Sequence, residues 1–220
     1  MSLEVLEAQT GDNPTATILI MHGLGADGRD FVPIAEQLDL SSVGPVRYLF
    51  PSAPSIPVTI NGGYVMPAWY DLLGADLVSR QDEAGLRKSQ ADIEALIAHE
   101  TARGIPAHRI VVAGFSQGCA MALMTGLRHG ERLAGIAGLS GYLPLADKTA
   151  AERSAANQDV PIFLAHGTRD GVVVLPRATA TRDALIALGY PVEWHDYPME
   201  HSVCPQEIVD LEKWLLRVLA

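Results

Sequence analysis

A pentapeptide of the form G-x-S-x-G at residues 114–118, with the sequence GFSQG, most constrains how this chain folds. The residues before it, Ile110 to Ala113, form an apolar, β-branched run that is typical of a buried strand. The apolar residues after it fit one face of a helix: Ala120, Met121, Leu123, Met124 and Leu127. A strand, a sharp turn and a helix form the context in which such a serine is presented as a nucleophile.

The two glycines of the motif, Gly114 and Gly118, have a physical explanation. A serine in so sharp a turn has a strained backbone, and small neighbours let the strand and the helix approach closely around it. The helix directs its N-terminus at Ser116, which favours developing negative charge. We therefore expect Ser116 to be a nucleophile and the backbone amide of Gln117 to be one oxyanion donor. The alternative is a structural turn without catalysis.

A glycine-rich loop follows an earlier strand. Residues 15–21 (TATILIM) predict a β-branched strand, and residues 22–28 (HGLGADG) come directly after it. A second oxyanion donor commonly lies in such a loop, and we assign it to the backbone amide of Leu24. The alternative is an ordinary glycine-rich turn. His22, at the strand end, is expected to make structural hydrogen bonds rather than to act as a base.

The acid and the base should follow the serine in the order acid, then histidine, each in a loop after a strand. Asp170 and His201 meet both conditions. Four other residues fail a condition because of their place in the predicted elements: Asp159, Asp183, His166 and His195. The alternatives are that Asp170 only forms a turn and that His201 is a surface histidine.

These residues predict acyl transfer to a serine. His201 would take the proton of Ser116 during attack on a carbonyl and then protonate the leaving alcohol or thiol. Asp170 would orient the imidazole and stabilise the imidazolium. Water activated by His201 would then hydrolyse the acyl-enzyme.

A long segment, residues 51–71, is rich in proline and glycine, which exclude regular structure over much of it. Long irregular loops in compact domains are usually functional. This one carries Tyr64, Met66, Trp69 and Tyr70, which predict the wall of a pocket for an apolar acyl group. The alternative is a loop that packs flat on the core.

The remaining patterns alternate between strands and helices. Strands are predicted at residues 3–6, 15–21, 47–50, 110–113, 133–139, 161–166 and 190–196, and helices at 31–38, 86–103, 174–188 and 205–219. Residues 144–159 are polar and alanine-rich and are expected to be a surface excursion. The alternation predicts an α/β fold with a mostly parallel central sheet and helices on both faces.

Composition restricts the classes of function. A chain of 220 residues with 48% hydrophobic residues predicts one domain, residues 1–220. A net charge of -10 argues against nucleic acid and anionic membranes as partners. Its two cysteines form neither a disulfide framework nor a zinc-binding pattern. With no signal-peptide pattern and no long apolar stretch, we expect a cytoplasmic protein without stable membrane association.

The chain resembles the acyl-protein thioesterase and carboxylesterase family of single-domain α/β-hydrolases. The matching motifs are HGLG at 22–25, FPSAP at 50–54, PAWYD at 67–71, GFSQG at 114–118, HGTRD at 166–170 and HSVC at 201–204. They run through nearly the whole chain in the family's order. Two positions depart from the family pattern. Cys119 replaces a common glycine, and we expect altered packing there and a buried, inert thiol; Gly171 replaces a common proline, which would loosen the acid loop.

The resemblance implies the α/β-hydrolase fold without a large cap domain, and the same triad of Ser116, Asp170 and His201. It also implies the Leu24 and Gln117 oxyanion donors. An acyl pocket is implied near residues 67–77, where we name Trp69, Leu72 and Leu73 as substrate-binding residues. Family members often form homodimers that partly occlude the site, so a homodimer is expected here.

The leading hypothesis is a serine carboxylesterase that acts on small or medium acyl esters, with thioesters as further substrates. A protein depalmitoylase or lysophospholipase, with the same triad and long-chain substrates, is the alternative. A non-catalytic α/β-hydrolase scaffold is a remote third. The expected partner is a small-molecule ester or an acylated substrate, and no metal or organic cofactor is implied.

Overall fold

The computed structural model describes residues 3–74 and 80–220. In these residues a seven-stranded sheet has the strand order β1-β3-β2-β6-β7-β8-β9, and β4 and β5 form a separate hairpin. The strands are β1 (Glu4–Gln9), β2 (Ala16–Met21), β3 (Val46–Ser52), β4 (Ser55–Val58), β5 (Tyr64–Pro67), β6 (Ile110–Phe115), β7 (Gly135–Leu139), β8 (Ile162–Gly167) and β9 (Val192–Tyr197). The α-helices are α1 (Val32–Ala35), α2 (Glu83–Ala102), α3 (Gln117–Gly126), α4 (Ala146–Glu152), α5 (Leu175–Ala187) and α6 (Pro205–Val218).

The sheet is parallel except at one edge. Only β1 runs antiparallel to its neighbour, with Glu4 opposite Ser52 and Gln9 opposite Arg47. The other pairs are parallel, and β6 is held between β2 and β7. The carboxyl ends of β2, β6, β8 and β9 therefore lie along one edge, and the loops that leave this edge carry the predicted site residues.

Both faces of the sheet are covered by helices. On β6, Ile110 and Val112 belong to the apolar cluster that includes residues of α2 and α3, while Val111 and Ala113 belong to the cluster that includes residues of α6. Such alternation on a strand buried on both sides is typical of doubly covered parallel sheets. The predicted α/β fold with a mostly parallel sheet is confirmed.

The segment expected to be irregular contains regular structure. Strands β4 and β5 pair with Pro57 opposite Val65 and Ser55 opposite Pro67. Prolines fit because a two-stranded hairpin consists of edge strands, where an N–H need not enter a ladder. Helix α4 also lies in the polar segment 144–159, for which no element was predicted.

The helix predicted over residues 31–38 is shorter. A 3-10 turn, Gly28–Phe31, precedes the single turn α1, because the side chain of Asp27 accepts the N–H of Arg29 and starts the helical bonding early. None of the helices in the described residues combines the length and hydropathy that crossing a bilayer requires.

Glu207 lies in the first turn of α6, just after the loop that carries His201. Its side chain is fully buried. Burial raises the pKa of Glu207 to about 8, although the backbone amide of Cys204 acts in the opposite direction. The folded protein therefore favours the neutral carboxyl. Above about pH 8 the charged form destabilises the fold, and this cost falls as the pH decreases towards the usual glutamate pKa.

We predict that Glu207→Gln raises the melting temperature by several degrees at alkaline pH and changes it little near pH 5. Glutamine removes the ionisation but keeps the shape, and each kcal/mol shifts the melting temperature by about 2–4 °C in a chain of this size. Thermal denaturation at pH values from about 5 to the alkaline range measures the melting temperatures. Glu131→Gln, at an exposed carboxylate, is the control. An equal shift at both pH values would contradict the prediction.

Candidate active site

Ser116 occupies a strained turn between β6 and α3. Its φ of 56° and ψ of −116° lie outside the regions that side chains favour. Its N–H donates to Leu139 O at 2.9 Å, and its carbonyl accepts the N–H of Ala120 at 3.2 Å. These bonds fix the serine to the neighbouring strand and to the first turn of the helix.

Gly114 and Gly118 are required by close approach. A Cβ on Gly114 would overlap the carbonyl of Gly118, and a Cβ on Gly118 would overlap the carbonyl of Met21. Any side chain at either position would push α3 away from β2 and β6. The sequence explanation for these two glycines therefore agrees with the packing.

Ser116, His201 and Asp170 form a continuous hydrogen-bonded chain. His201 Nε2 lies 3.0 Å from Ser116 Oγ, and His201 Nδ1 lies 2.7 Å from Asp170 Oδ2. Because a carboxylate only accepts, Nδ1 carries the proton and Nε2 is free to accept the Ser116 proton. The structure thus brings together the three predicted residues in the arrangement that general-base activation of a serine requires.

The acid is held by its own loop. Asp170 Oδ1 accepts the N–H groups of Val172 at 2.8 Å and Val173 at 2.9 Å. On the other side, His166 Nε2 lies 2.7 Å from Val173 O and 3.4 Å from Asp170 Oδ2. We expected Gly171 to loosen this loop, but these hydrogen bonds fasten the residues on both sides of it.

The two predicted oxyanion donors flank Ser116. Gln117 is the first residue of α3, so its N–H is one of the amides that a helix N-terminus leaves without an intrahelical partner. Leu24 lies in a turn in which Ala26 N–H donates to Gly23 O at 3.3 Å. A Cβ on Gly23 would lie 3.3 Å from Ser116 Cβ, so this turn packs directly against the serine.

His22 makes structural hydrogen bonds, as the sequence predicts. Its Nδ1 lies 2.6 Å from Gly23 O, and its Nε2 accepts the N–H of Ala53 at 2.9 Å. These partners require the neutral ring with the proton on Nδ1. Burial lowers the pKa of His22, which reinforces that state.

Trp69 does not line the site, contrary to our expectation. Its side chain is 2% exposed, and its indole N–H donates to His22 O at 2.9 Å. An aromatic residue suits a pocket wall or a core, and here the indole is buried with its N–H bonded to the carbonyl of His22 at the end of β2. Leu72 and Leu73 are half-buried, and the cavity at Ser116 is lined by other residues. Residues 75–77 of the predicted pocket segment lie outside the described residues.

Residues 67–70, which we call the strap, connect the turn that carries Leu24 to the turn that carries Ser116. Pro67 O accepts the N–H of Gly25 at 2.8 Å. The Gln117 side chain accepts the Trp69 N–H and donates to Tyr70 O, both at 3.0 Å. The strap therefore fixes the loop of Leu24 relative to Gln117, the two predicted oxyanion donors. Sequence reasoning assigned only the amide of Gln117 and missed this use of its side chain.

The cavity at Ser116 has a volume of about 520 Å³. Residues that sequence reasoning missed form its walls, including Phe31, Ile34 and Val203. Phe31 and Ile34 belong to a short helical segment and Val203 to the loop after His201, and no motif in the sequence indicates that they face the serine.

Cys119 is buried beneath the site. A Cβ on Gly138 would lie 2.7 Å from its Sγ, and one on Gly141 would also collide with it. Burial raises the pKa of the thiol to about 12. The larger residue is thus accommodated by two glycines across from it, and it remains a neutral thiol, as expected.

The family model for "Phospholipase/Carboxylesterase" matches residues 4–219. The chain belongs to this family. It is 42% identical over 206 residues to acyl-protein thioesterase 1 of Yarrowia lipolytica, covering 91% of each chain. It is 44% identical over 210 residues to acyl-protein thioesterase 1 of Neurospora crassa, covering 91% of this chain and 86% of the relative.

Solved structures of relatives have the same fold. Zea mays acyl-protein thioesterase 2 superposes with a TM-score of 0.88 at 30% identity, covering 99% of both chains. Arabidopsis thaliana SOBER1 superposes with a TM-score of 0.88 at 32% identity, covering 93% of this chain and 99% of the other. Membership in the Phospholipase/Carboxylesterase family confirms the α/β-hydrolase fold and the enzyme class, a serine hydrolase of carboxylic esters.

We predict that Gln117→Met lowers kcat about tenfold with little change in KM, because the oxyanion amides lose their common support while the cavity keeps its walls. The unfolding free energy should also fall by about 2 kcal/mol, since the Trp69 N–H and Tyr70 carbonyl become buried and unpaired. Steady-state kinetics and urea denaturation measure the two effects.

The control is Gln37→Met, at an exposed glutamine that donates to Pro33 O. It should leave both quantities nearly unchanged. If Gln117→Met lost stability and kept the full kcat, the strap would support the fold and not the oxyanion donors.

Proposed function

We propose that this enzyme hydrolyses carboxylic esters of small or medium acyl groups, and the corresponding thioesters, with Ser116 as the nucleophile. The observation that carries this proposal is the chain of hydrogen bonds from Asp170 through His201 to Ser116 Oγ, at 2.7 Å and 3.0 Å. Its donor end, the Ser116 hydroxyl, lies at the turn that the strap and α3 hold beside the two proposed oxyanion amides.

Each group has one role in the reaction. His201 Nε2 takes the Ser116 proton as Oγ attacks the carbonyl carbon, and the amides of Leu24 and Gln117 hold the resulting oxyanion. The same nitrogen then donates that proton to the departing alcohol or thiol, which leaves an acyl-Ser116 ester. A water molecule that gives its proton to His201 attacks this ester, releases the carboxylic acid and restores the serine.

A second candidate shares this chemistry but uses long acyl chains. It is favoured by the names of the relatives, which are acyl-protein thioesterases. The partner of this chain would then be an acylated protein or a lysophospholipid. Under either candidate we propose that the enzyme acts in the cytoplasm and forms a homodimer.

We predict that Ser116→Ala lowers kcat/KM for p-nitrophenyl butyrate by about 10⁴-fold or more, because the covalent route is lost. With the unchanged enzyme, kcat/KM measured from acetate to palmitate should be highest for short or medium chains. A rise towards palmitate would instead favour the long-chain candidate.

Ser140→Ala is the matched control. Ser140 is also a buried serine with a positive φ, of 49°, at the end of a neighbouring strand. Its replacement should change kcat/KM by no more than a few fold. Retention of substantial activity by folded Ser116→Ala would refute the assignment of the nucleophile.

A further inference from the structure

The cavity at Ser116 is a groove whose lining includes both Ser116 and His201. Leu24, Phe31 and Ile34 also line it, together with Ser202 and Val203 of the loop that carries His201. Its volume is about 520 Å³, which suits a small organic group. We call it the histidine-side groove.

The chemistry of the proposed function assigns this groove to the leaving group. His201 must protonate the departing atom, so that atom has to leave within hydrogen-bonding reach of Nε2. The groove contains both Ser116 and His201 in its lining. The described lining residues include none of the strap, whose Trp69 and Tyr70 are buried and hydrogen-bonded to the Gln117 side chain.

Among the described residues, one carboxylate lines the groove. Asp30 lines it, and the described lining residues include no lysine or arginine. The neighbouring Arg29 is engaged elsewhere, since its Nη1 lies 3.2 Å from Asp27 Oδ2. Within residues 3–74 and 80–220, no cationic side chain forms an ion pair with Asp30.

Two aromatic side chains, Phe31 and Phe115, line the same groove as this carboxylate. The ring of Phe31, the residue after Asp30, lies 6.1 Å from that of Phe115, and Phe115 lies 4.7 Å from His201. Aromatic faces together with a carboxylate are suited to a quaternary or alkylated ammonium group on an apolar stem. A neutral group would gain no charge attraction from Asp30, and an anionic group would be repelled by it.

We propose that the histidine-side groove binds the leaving group and that Asp30 selects alcohols and thiols that carry a cationic ammonium group. This inference rests on the proposed function, and it makes Asp30 a specificity-determining residue of the same site. Because Asp30 is exposed, its effect is modest and is screened by salt.

The test compares two thioesters with the same acyl group. One is butyrylthiocholine, and the other is its neutral isostere, in which a tert-butyl group replaces the trimethylammonium group. At low ionic strength we expect the enzyme to favour the cationic substrate about fivefold in kcat/KM. Asp30→Asn should bring this ratio close to one by lowering only the cationic value, and added salt should reduce it in the unchanged enzyme.

Glu36→Gln is the matched control, at an exposed carboxylate just after α1 that does not line the groove. It should keep the fivefold ratio. A ratio near one in the unchanged enzyme, or the same preference in Asp30→Asn, would overturn the inference while active-site hydrolysis still stood. If neither thioester were hydrolysed faster by the unchanged enzyme than by Ser116→Ala, the proposed function would fail as well.

Discussion

The strained backbone of Ser116 is the constraint on which the rest of the site depends. A conformation of this kind costs about 1–3 kcal/mol and persists only where the surroundings fix it. Here Leu139 O holds the serine N–H, and the absence of a side chain at Gly114 and Gly118 lets α3 lie against β2 and β6. The same geometry turns the hydroxyl towards His201 and leaves the Gln117 amide at the helix N-terminus.

The electrostatics of the site separate one reactive group from several inert ones. Asp170 is buried, and its two oxygens are used by backbone amides and by His201, so it fixes the imidazole proton on Nδ1. His22 and His166 are kept neutral by burial, which lowers the pKa of each. Burial raises the pKa of the Cys119 thiol to about 12. Ser116 thus has a base in hydrogen-bonding contact, which the proposed nucleophile requires.

The sequence was sufficient for the residues whose role follows from chain order. The serine follows a parallel strand, and Asp170 and His201 lie in loops after two later parallel strands. Because these strands end at the same edge of the sheet, the three side chains have to meet there, and they do so here. It was insufficient for Trp69, because an apolar aromatic residue fits a pocket wall and a core equally well. The hairpin of β4 and β5 was also missed, since proline is excluded from central strands but not from edge strands. The groove beside His201 is lined by a short helical segment and by loops, and no sequence motif indicates that these approach the serine.

The most direct test of the account is to treat the folded enzyme with a fluorophosphonate ester and to locate the adduct by mass spectrometry. A phosphonylated serine does not turn over readily, so the adduct records which hydroxyl the base activates. We predict one adduct per chain, on Ser116, and little labelling of His201→Ala. An adduct on another residue, or equal labelling without His201, would contradict the central claim that this histidine activates this serine.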